Sequence, residues 1–328
     1  MPLLPRSLAP LGPQFAWLEI TGFCNLRCRQ CYADSSPEGN HGTMTDDDWF
    51  RVIDELAALH VRDMQFIGGE PTLHPSLPAY IRHARKAQMR IEVFSNLTHI
   101  TDEVWEVLKL PGVRLAFSYY SDESEDHDDV TENRGSHART RVNVEKAKAL
   151  GISMRGSVIN VLQGQRASDA RRDLLDIGLR DVRTDKLRPF GRGADGAIPD
   201  ITKLCGRCGR NKFAIGPDGS VWPCVFARWM AAGNVHEQSL AAIYKGAAMQ
   251  GARAELAQVF PDKVSTANTP SCLPDCNPAF DSCAPQLACA PDAACGPTED
   301  SSDDLAEPIM SPHRSVRYGN PRIAGTDC

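Results

Sequence analysis

The sequence predicts an α/β fold: a partial (β/α)6, TIM-like barrel followed by a small cysteine-rich C-terminal domain. Short apolar, strand-like runs alternate with amphipathic helical stretches, six times between Phe15 and about Gly193. That is the pattern of parallel βαβ units with right-handed crossovers. The alternation ends too early for a closed eight-fold barrel, which needs about 250 residues. The twelve cysteines fall in two groups, three near residue 28 and nine from Cys205 onward, which suggests a separate C-terminal unit.

The elements follow in order. A proline-rich lead over 1–14 precedes a buried strand over 15–20 (FAWLEI) and a cysteine-bearing loop. Thr45 with Asp46, Asp47 and Asp48 marks a helix start with an acidic first turn, and the helix runs to about Leu59. A second strand over 64–67 ends in Gly68-Gly69-Glu70-Pro71. Helix 77–87, strand 91–95, helix 101–108 and strand 113–119 come next. A polar, acidic stretch over 121–136 reads as a solvated loop; contact with a basic substrate there is the minor alternative. Helix 138–150, strand 152–159, helix 167–177 and strand 181–187 complete the core, which is bounded at 15–193. The C-terminal domain is placed at 194–296. A polar tail over 297–328, rich in proline, serine and aspartate, ends the chain.

Composition narrows the function classes. The 328 residues suffice for one large and one smaller domain. Hydrophobic residues make up 42% and charged residues 24%, as in soluble globular proteins. A net charge of −6 offers no electrostatic basis for nucleic acid or an anionic membrane as main partner. No apolar run approaches membrane-spanning length, and the lead lacks a continuous apolar h-region, so neither a membrane span nor a signal peptide is expected. Without an export signal, twelve cysteines point to metal rather than disulfides, and a cytoplasmic location follows. The histidines show no metal-ligand spacing and read as ordinary residues.

In such barrels the chemistry lies at the C-terminal ends of the strands. Residues 21–32 read TGFCNLRCRQCY, with Cys24, Cys28 and Cys31 at Cys-x3-Cys-x2-Cys spacing. Three thiolates this close can wrap one metal centre. On a cubane iron–sulfur cluster they leave one iron open to a small molecule. By themselves they equally allow a structural zinc knot or a disulfide cluster. At the next strand end, Gly68 and Gly69 let the backbone approach a ligand closely and take unusual dihedrals.

Together these motifs resemble the radical S-adenosylmethionine (radical SAM) enzymes. That family usually places an aromatic residue just before the third cysteine. Gln30 stands there in this chain and Tyr32 follows, as in members reading Cys-Asn-x-x-Cys-x-x-Cys-Tyr, which Cys24, Asn25, Cys28, Cys31 and Tyr32 match. The resemblance implies a [4Fe-4S] cluster on the three cysteines whose open iron chelates S-adenosylmethionine (SAM). One electron would cleave SAM to methionine and a 5′-deoxyadenosyl radical, which abstracts hydrogen from substrate. It further implies that Gly68, Gly69 and Glu70 meet the SAM amino group and that Tyr32 lies beside the iron. Asn96 would lie near SAM in Ser95-Asn96-Leu97, where relatives carry glycine at the third place. Ser118 would contact the ribose and Arg155 the SAM carboxylate, though each reads equally as an ordinary strand residue. Residues 187–193 (LRPFGRG) resemble the Pro-x-Gly-Arg-Ala segment that leaves such cores. Arg188 or Arg192 is expected at the active-site mouth, a solvated loop arginine being the equal alternative.

The C-terminal cysteines resemble a SPASM/twitch auxiliary-cluster domain. Cys205-x2-Cys208 is followed by a hairpin signal at Pro217-Asp218-Gly219, then by an intact Gly-x4-Cys from Gly219 to Cys224, and by Gly233-Asn234. The late run, Cys272-x3-Cys276-x6-Cys283-x5-Cys289-x5-Cys295, has every gap longer than the SPASM pattern. Eight cysteines can ligate two four-iron clusters. One grouping puts Cys205, Cys208, Cys224 and a late cysteine on the first cluster and the other four on the second; a twitch domain with one cluster is the alternative. Zinc fits the same thiolates. Terminal Cys328 is not expected to be a ligand.

The expected function is a radical SAM oxidoreductase with one or two auxiliary [4Fe-4S] clusters and a donor such as flavodoxin or ferredoxin. Enzymes of this build commonly modify peptides, as in crosslinking or thioether formation on ribosomal peptide natural products. Oxidation, epimerisation or decarboxylation of a small sugar or nucleoside intermediate in antibiotic biosynthesis is the alternative within the class. A zinc-binding interaction protein is the alternative outside it. No carboxylate stands out as general base.

Overall fold

The parallel strands of the core are β1 (Phe15–Thr21), β2 (Asp63–Gly68), β3 (Arg90–Ser95), β4 (Val113–Tyr119), β5 (Met154–Asn160) and β6 (Val182–Lys186). Each pairs parallel with the next. The structure, a computed structural model, describes residues 12–261. The crossovers carry α1 (Asp46–Ala58), α2 (Leu77–Lys86), α3 (Asp102–Leu108), α4 (Ser124–Thr131), α5 (Ser136–Ala149) and α6 (Ala167–Asp176). This is the expected mixed α/β architecture, a parallel sheet of partial-barrel type.

α1 shows how locally the elements are specified. Thr45 and Asp48 form a reciprocal capping box, and Asp46, Asp47 and Asp48 face the positive end of the helix dipole. Trp49, Val52, Ile53 and Leu56 recur at helical spacing and are buried. They share a core cluster with Leu18 and Ile20 of β1. The alternate β1 residues Phe15 and Trp17 belong to a second cluster with Trp222 and Cys224. β1 is therefore covered on both faces, as strands of parallel sheets are.

The barrel interior holds charge. Glu92 of β3 is fully buried and accepts from Arg155 Nε (3.1 Å) and Nη2 (2.8 Å), and from Gln65. Arg114 Nε lies 3.2 Å from its second oxygen. Arg155 also donates to Ser157 Oγ at 2.6 Å. A carboxylate held this way is satisfied, whereas losing one partner would strand the other's charge.

One sequence expectation is corrected, and the sheet adds a join that the sequence did not suggest. The stretch 121–136 contains α4, because His127, Val130 and Thr131 form a buried stripe at helical spacing that the surrounding acidic residues obscured. The C-terminal hairpin joins the core sheet. β7 (Lys212–Ile215) pairs parallel with β1, and β8 (Ser220–Trp222) and β9 (Gly233–Asn234) follow antiparallel. Among the described residues one nine-stranded sheet results, ordered β6-β5-β4-β3-β2-β1-β7-β8-β9. α7 (Leu240–Lys245) and α8 (Ala247–Val259) close the described region. The expected boundary at 193/194 falls within a short 3-10 turn, Gly191–Ala194, ahead of the hairpin. Cys272, Cys276, Cys283, Cys289, Cys295 and the tail lie outside the described residues. Among those described, no helix is long and apolar enough to cross a membrane.

Candidate active site

The cysteine loop leaves β1 and folds back on itself. Gly22 N and Phe23 N donate to Asn40 O (2.8 and 3.1 Å), and Cys24 N donates to Ser36 O (3.1 Å). The end of β2 fastens onto this loop. Gly69 N donates to Thr21 O at 2.7 Å and Glu70 N to Phe23 O at 2.8 Å. A Cβ on Gly68 (φ +121°) would stand 2.5 Å from Thr21 O, and one on Gly69 only 2.1 Å from Phe23 O. The backbone approach that both glycines permit is thus, first of all, an approach to the cysteine loop itself.

Glu70 is buried and its carboxylate is fully engaged within the protein. It accepts from Thr72 N (3.1 Å), Thr72 Oγ1 (2.7 Å), Ser95 Oγ (2.7 Å) and Asn96 N (2.7 Å). Burial pushes its carboxyl up, and these donors oppose the shift. The visible work of Glu70 is to tie the end of β2 to the end of β3. Asn96 then reaches the loop: its Nδ2 lies 2.9 Å from Asn25 Oδ1 and 3.7 Å from Cys24 Sγ. Thr98 closes the network, donating to Asn96 Oδ1 and accepting from Asn25 Nδ2. Leu97 holds φ +56°, the left-handed conformation that glycine adopts most readily.

The other expected residues are distributed as follows. Tyr32 turns toward the C-terminal domain: its ring centroid is 5.2 Å from that of Phe226, and the Arg228 guanidinium lies 5.8 Å above it. Ser118 is half-buried near the end of β4, beside Tyr120. Arg155 is closed into the interior pair with Glu92, below the strand ends. Arg188 pairs with Asp185 and lies over Phe226, while Arg192 grips the cysteine loop. Sequence reasoning missed Tyr120, whose hydroxyl accepts from Gln30 Nε2 at 2.6 Å and sits against Cys28. It also missed Glu19, buried on β1 and paired with Arg228, whose carboxyl burial raises to about 7. No spacing rule reveals either contact.

The donor set suits a cationic iron centre. Burial, followed by the charge of Glu70, pushes the Cys24 thiol up to about 12. Burial and the neighbouring thiols Cys31 and Cys24 raise Cys28. Three mutually opposed thiolates become stable only around positive metal. Leu26 N, 3.4 Å from Cys24 Sγ, and Asn96 Nδ2 are the N–H donors that a metal-bound sulfur accepts from. Cys24, Cys28 and Cys31 are the residues that would hold the radical SAM [4Fe-4S] cluster, which when bound would supply the electron that splits SAM.

On the C-terminal side, the β7–β8 hairpin brings Cys224 next to Cys208, whose thiol donates to it. That bond, helped by the charge of buried Lys212, holds Cys224 below the ordinary thiol range. A small pocket beside them is lined by Arg188, Lys203, Cys205, Cys208, Cys224 and Phe226. Phe226 lies between this pocket and Tyr32, next in sequence to Cys31.

Comparison with known proteins gives a consistent picture. The radical SAM superfamily model matches residues 18–177, and the iron–sulfur cluster-binding domain model, SPASM, matches residues 205–277. The chain is similar to the antilisterial bacteriocin subtilosin biosynthesis protein AlbA of Bacillus subtilis (26% identity over 267 residues, 71% of this chain), and spans 59% of that protein's length. It is similar to the PqqA peptide cyclase of Granulibacter bethesdensis (26% over 273 residues, 70% of this chain and 73% of the relative). Its fold resembles that of Streptococcus suis SuiB, whose structure was solved bound to the precursor peptide SuiA (TM-score 0.62, 14% identity, 74% of this chain and 67% of that one). The chain belongs to the radical SAM superfamily, in the branch whose core is followed by a SPASM iron–sulfur cluster-binding domain.

Proposed function

We propose that this enzyme modifies a peptide, by hydrogen abstraction followed by crosslink or thioether formation, with the C-terminal cluster site taking up or relaying the substrate's electron. The observation that supports this best is that relatives matching about 70% of the chain include a peptide cyclase and a bacteriocin biosynthesis protein. The aromatic contact of Tyr32 with Phe226 joins the two cysteine sites and suits electron passage between them. Gly68, Gly69, Glu70, Asn96, Ser118 and Arg155 are proposed to shape the SAM pocket. Glu70 and Arg155 would act through the groups they hold, since the protein already engages their charges. A flavodoxin or ferredoxin donor and a cytoplasmic location complete the reading.

The test is to incubate the anaerobically reconstituted enzyme, SAM and a reductant with precursor peptides encoded beside its gene. Peptide-dependent formation of 5′-deoxyadenosine, with a mass change on the peptide, is expected. Turnover stimulated only by sugars or nucleosides would refute the peptide reading and favour the small-molecule one.

A further inference from the structure

The segment that leaves β6 locks onto the cysteine loop more tightly than a domain linker needs to. Arg192 Nε donates to Cys28 O at 2.9 Å and its Nη2 to Ser35 O at 2.7 Å. Its backbone N–H donates to Cys31 O at 3.0 Å. Three carbonyls spread over Cys28 to Ser35 are therefore held by one residue. The flanking glycines serve the same contact. Gly191 has φ +56°, and a Cβ there would stand 2.4 Å from Cys31 O and 2.5 Å from Tyr32 O. A Cβ on Gly193 would stand 2.6 Å from Arg188 O and 3.2 Å from Gln30 O.

We infer that Arg192 is the positioning residue of the core cluster: its guanidinium fork clamps the cysteine loop, and its fixed positive charge beside Cys28 favours the reduced cluster. The two roles separate chemically. The clamp depends on a planar fork reaching two carbonyls, which lysine cannot reproduce. The charge depends only on a cation near the thiolates, and a cation stabilises the more negative, reduced state of the centre. The segment also runs on toward Cys205, so the same residue fastens the core loop to the chain that enters the auxiliary domain.

The test compares full-length wild type, Arg192→Lys and Arg192→Gln after anaerobic reconstitution. The core cluster is identified as the one whose EPR signal changes when SAM is added. Arg192→Gln is expected to shift that cluster's reduction equilibrium at least tenfold toward the oxidised form, a fall of about 59 mV for a one-electron couple. Arg192→Lys is expected to keep the wild-type potential but to release core iron to a chelator several-fold faster. Gly191→Ala leaves the arginine in place and disturbs the same contact through the backbone, so it is expected to release iron like the lysine variant. A wild-type potential in Arg192→Gln would overturn the electrostatic role. Wild-type iron retention in both Arg192→Lys and Gly191→Ala would overturn the clamp.

Discussion

The two cysteine sites are built in opposite ways. The core loop is gripped at its own main chain on several sides: by β2 through Gly69 and Glu70, by the exit segment through the Arg192 guanidinium and N–H, and by α4 through Thr131 O and Val130 O, which accept from Arg27 N (3.3 Å) and Arg29 N (3.0 Å). The C-terminal site has Cys208 and Cys224 brought together by a short hairpin, with side chains such as Lys212 and Arg188 around them. A centre that must leave one iron open needs its three ligands fixed by something other than a fourth protein ligand, and the core loop supplies that with backbone. A site with more cysteines available can lean on the ligands themselves.

That contrast can be broken at either end. The largest effect is expected from Gly69→Ala: its Cβ would sit 2.1 Å from Phe23 O, so the loop must move. SAM cleavage and the SAM-responsive EPR signal should both vanish, while the folded state, followed by circular dichroism, survives. Cys224→Ala should do the converse. It should remove about four irons per chain and leave SAM cleavage without substrate intact; loss of the core signal as well would show that the two sites are not independent. Glu92→Gln strands the charge of Arg155 in the barrel interior. It should lower stability by about 3–5 kcal/mol in urea unfolding of the iron-free protein.

The smallest effect is a pH dependence at α4. His127 is buried, and desolvation holds its imidazole down at about 3. The folded state therefore keeps it neutral, while the unfolded chain binds a proton below about 6.5. Its contribution to stability is present above that pH and is lost as pH falls from about 6.5 toward 3. His127→Gln should flatten that slope in acid titrations of the iron-free protein; an unchanged slope would remove His127 from the account.

Much of this was legible in the chain. Cys24, Cys28, Cys31, Gly68, Gly69 and the strand–helix alternation are local patterns, and local patterns survive being read in one dimension. What stayed hidden depends on residues far apart. β7 joins β1 across about 200 residues of sequence, and nothing in the apolar run of either strand names its partner. Tyr120 reaches Gln30, Arg192 reaches Cys28, and Arg155 closes onto Glu92 through tertiary placement alone. α4 was masked because its charged residues outnumber the few buried ones that make it a helix.

The most direct test is iron and sulfide per chain after anaerobic reconstitution, in wild type and in a variant with Cys24, Cys28 and Cys31 all changed to alanine. About eight to twelve irons are expected in wild type, and about four fewer in the variant, which should retain the rest at its C-terminal site. Stoichiometric zinc without iron, or a variant that keeps every iron, would contradict a radical SAM centre on these three cysteines.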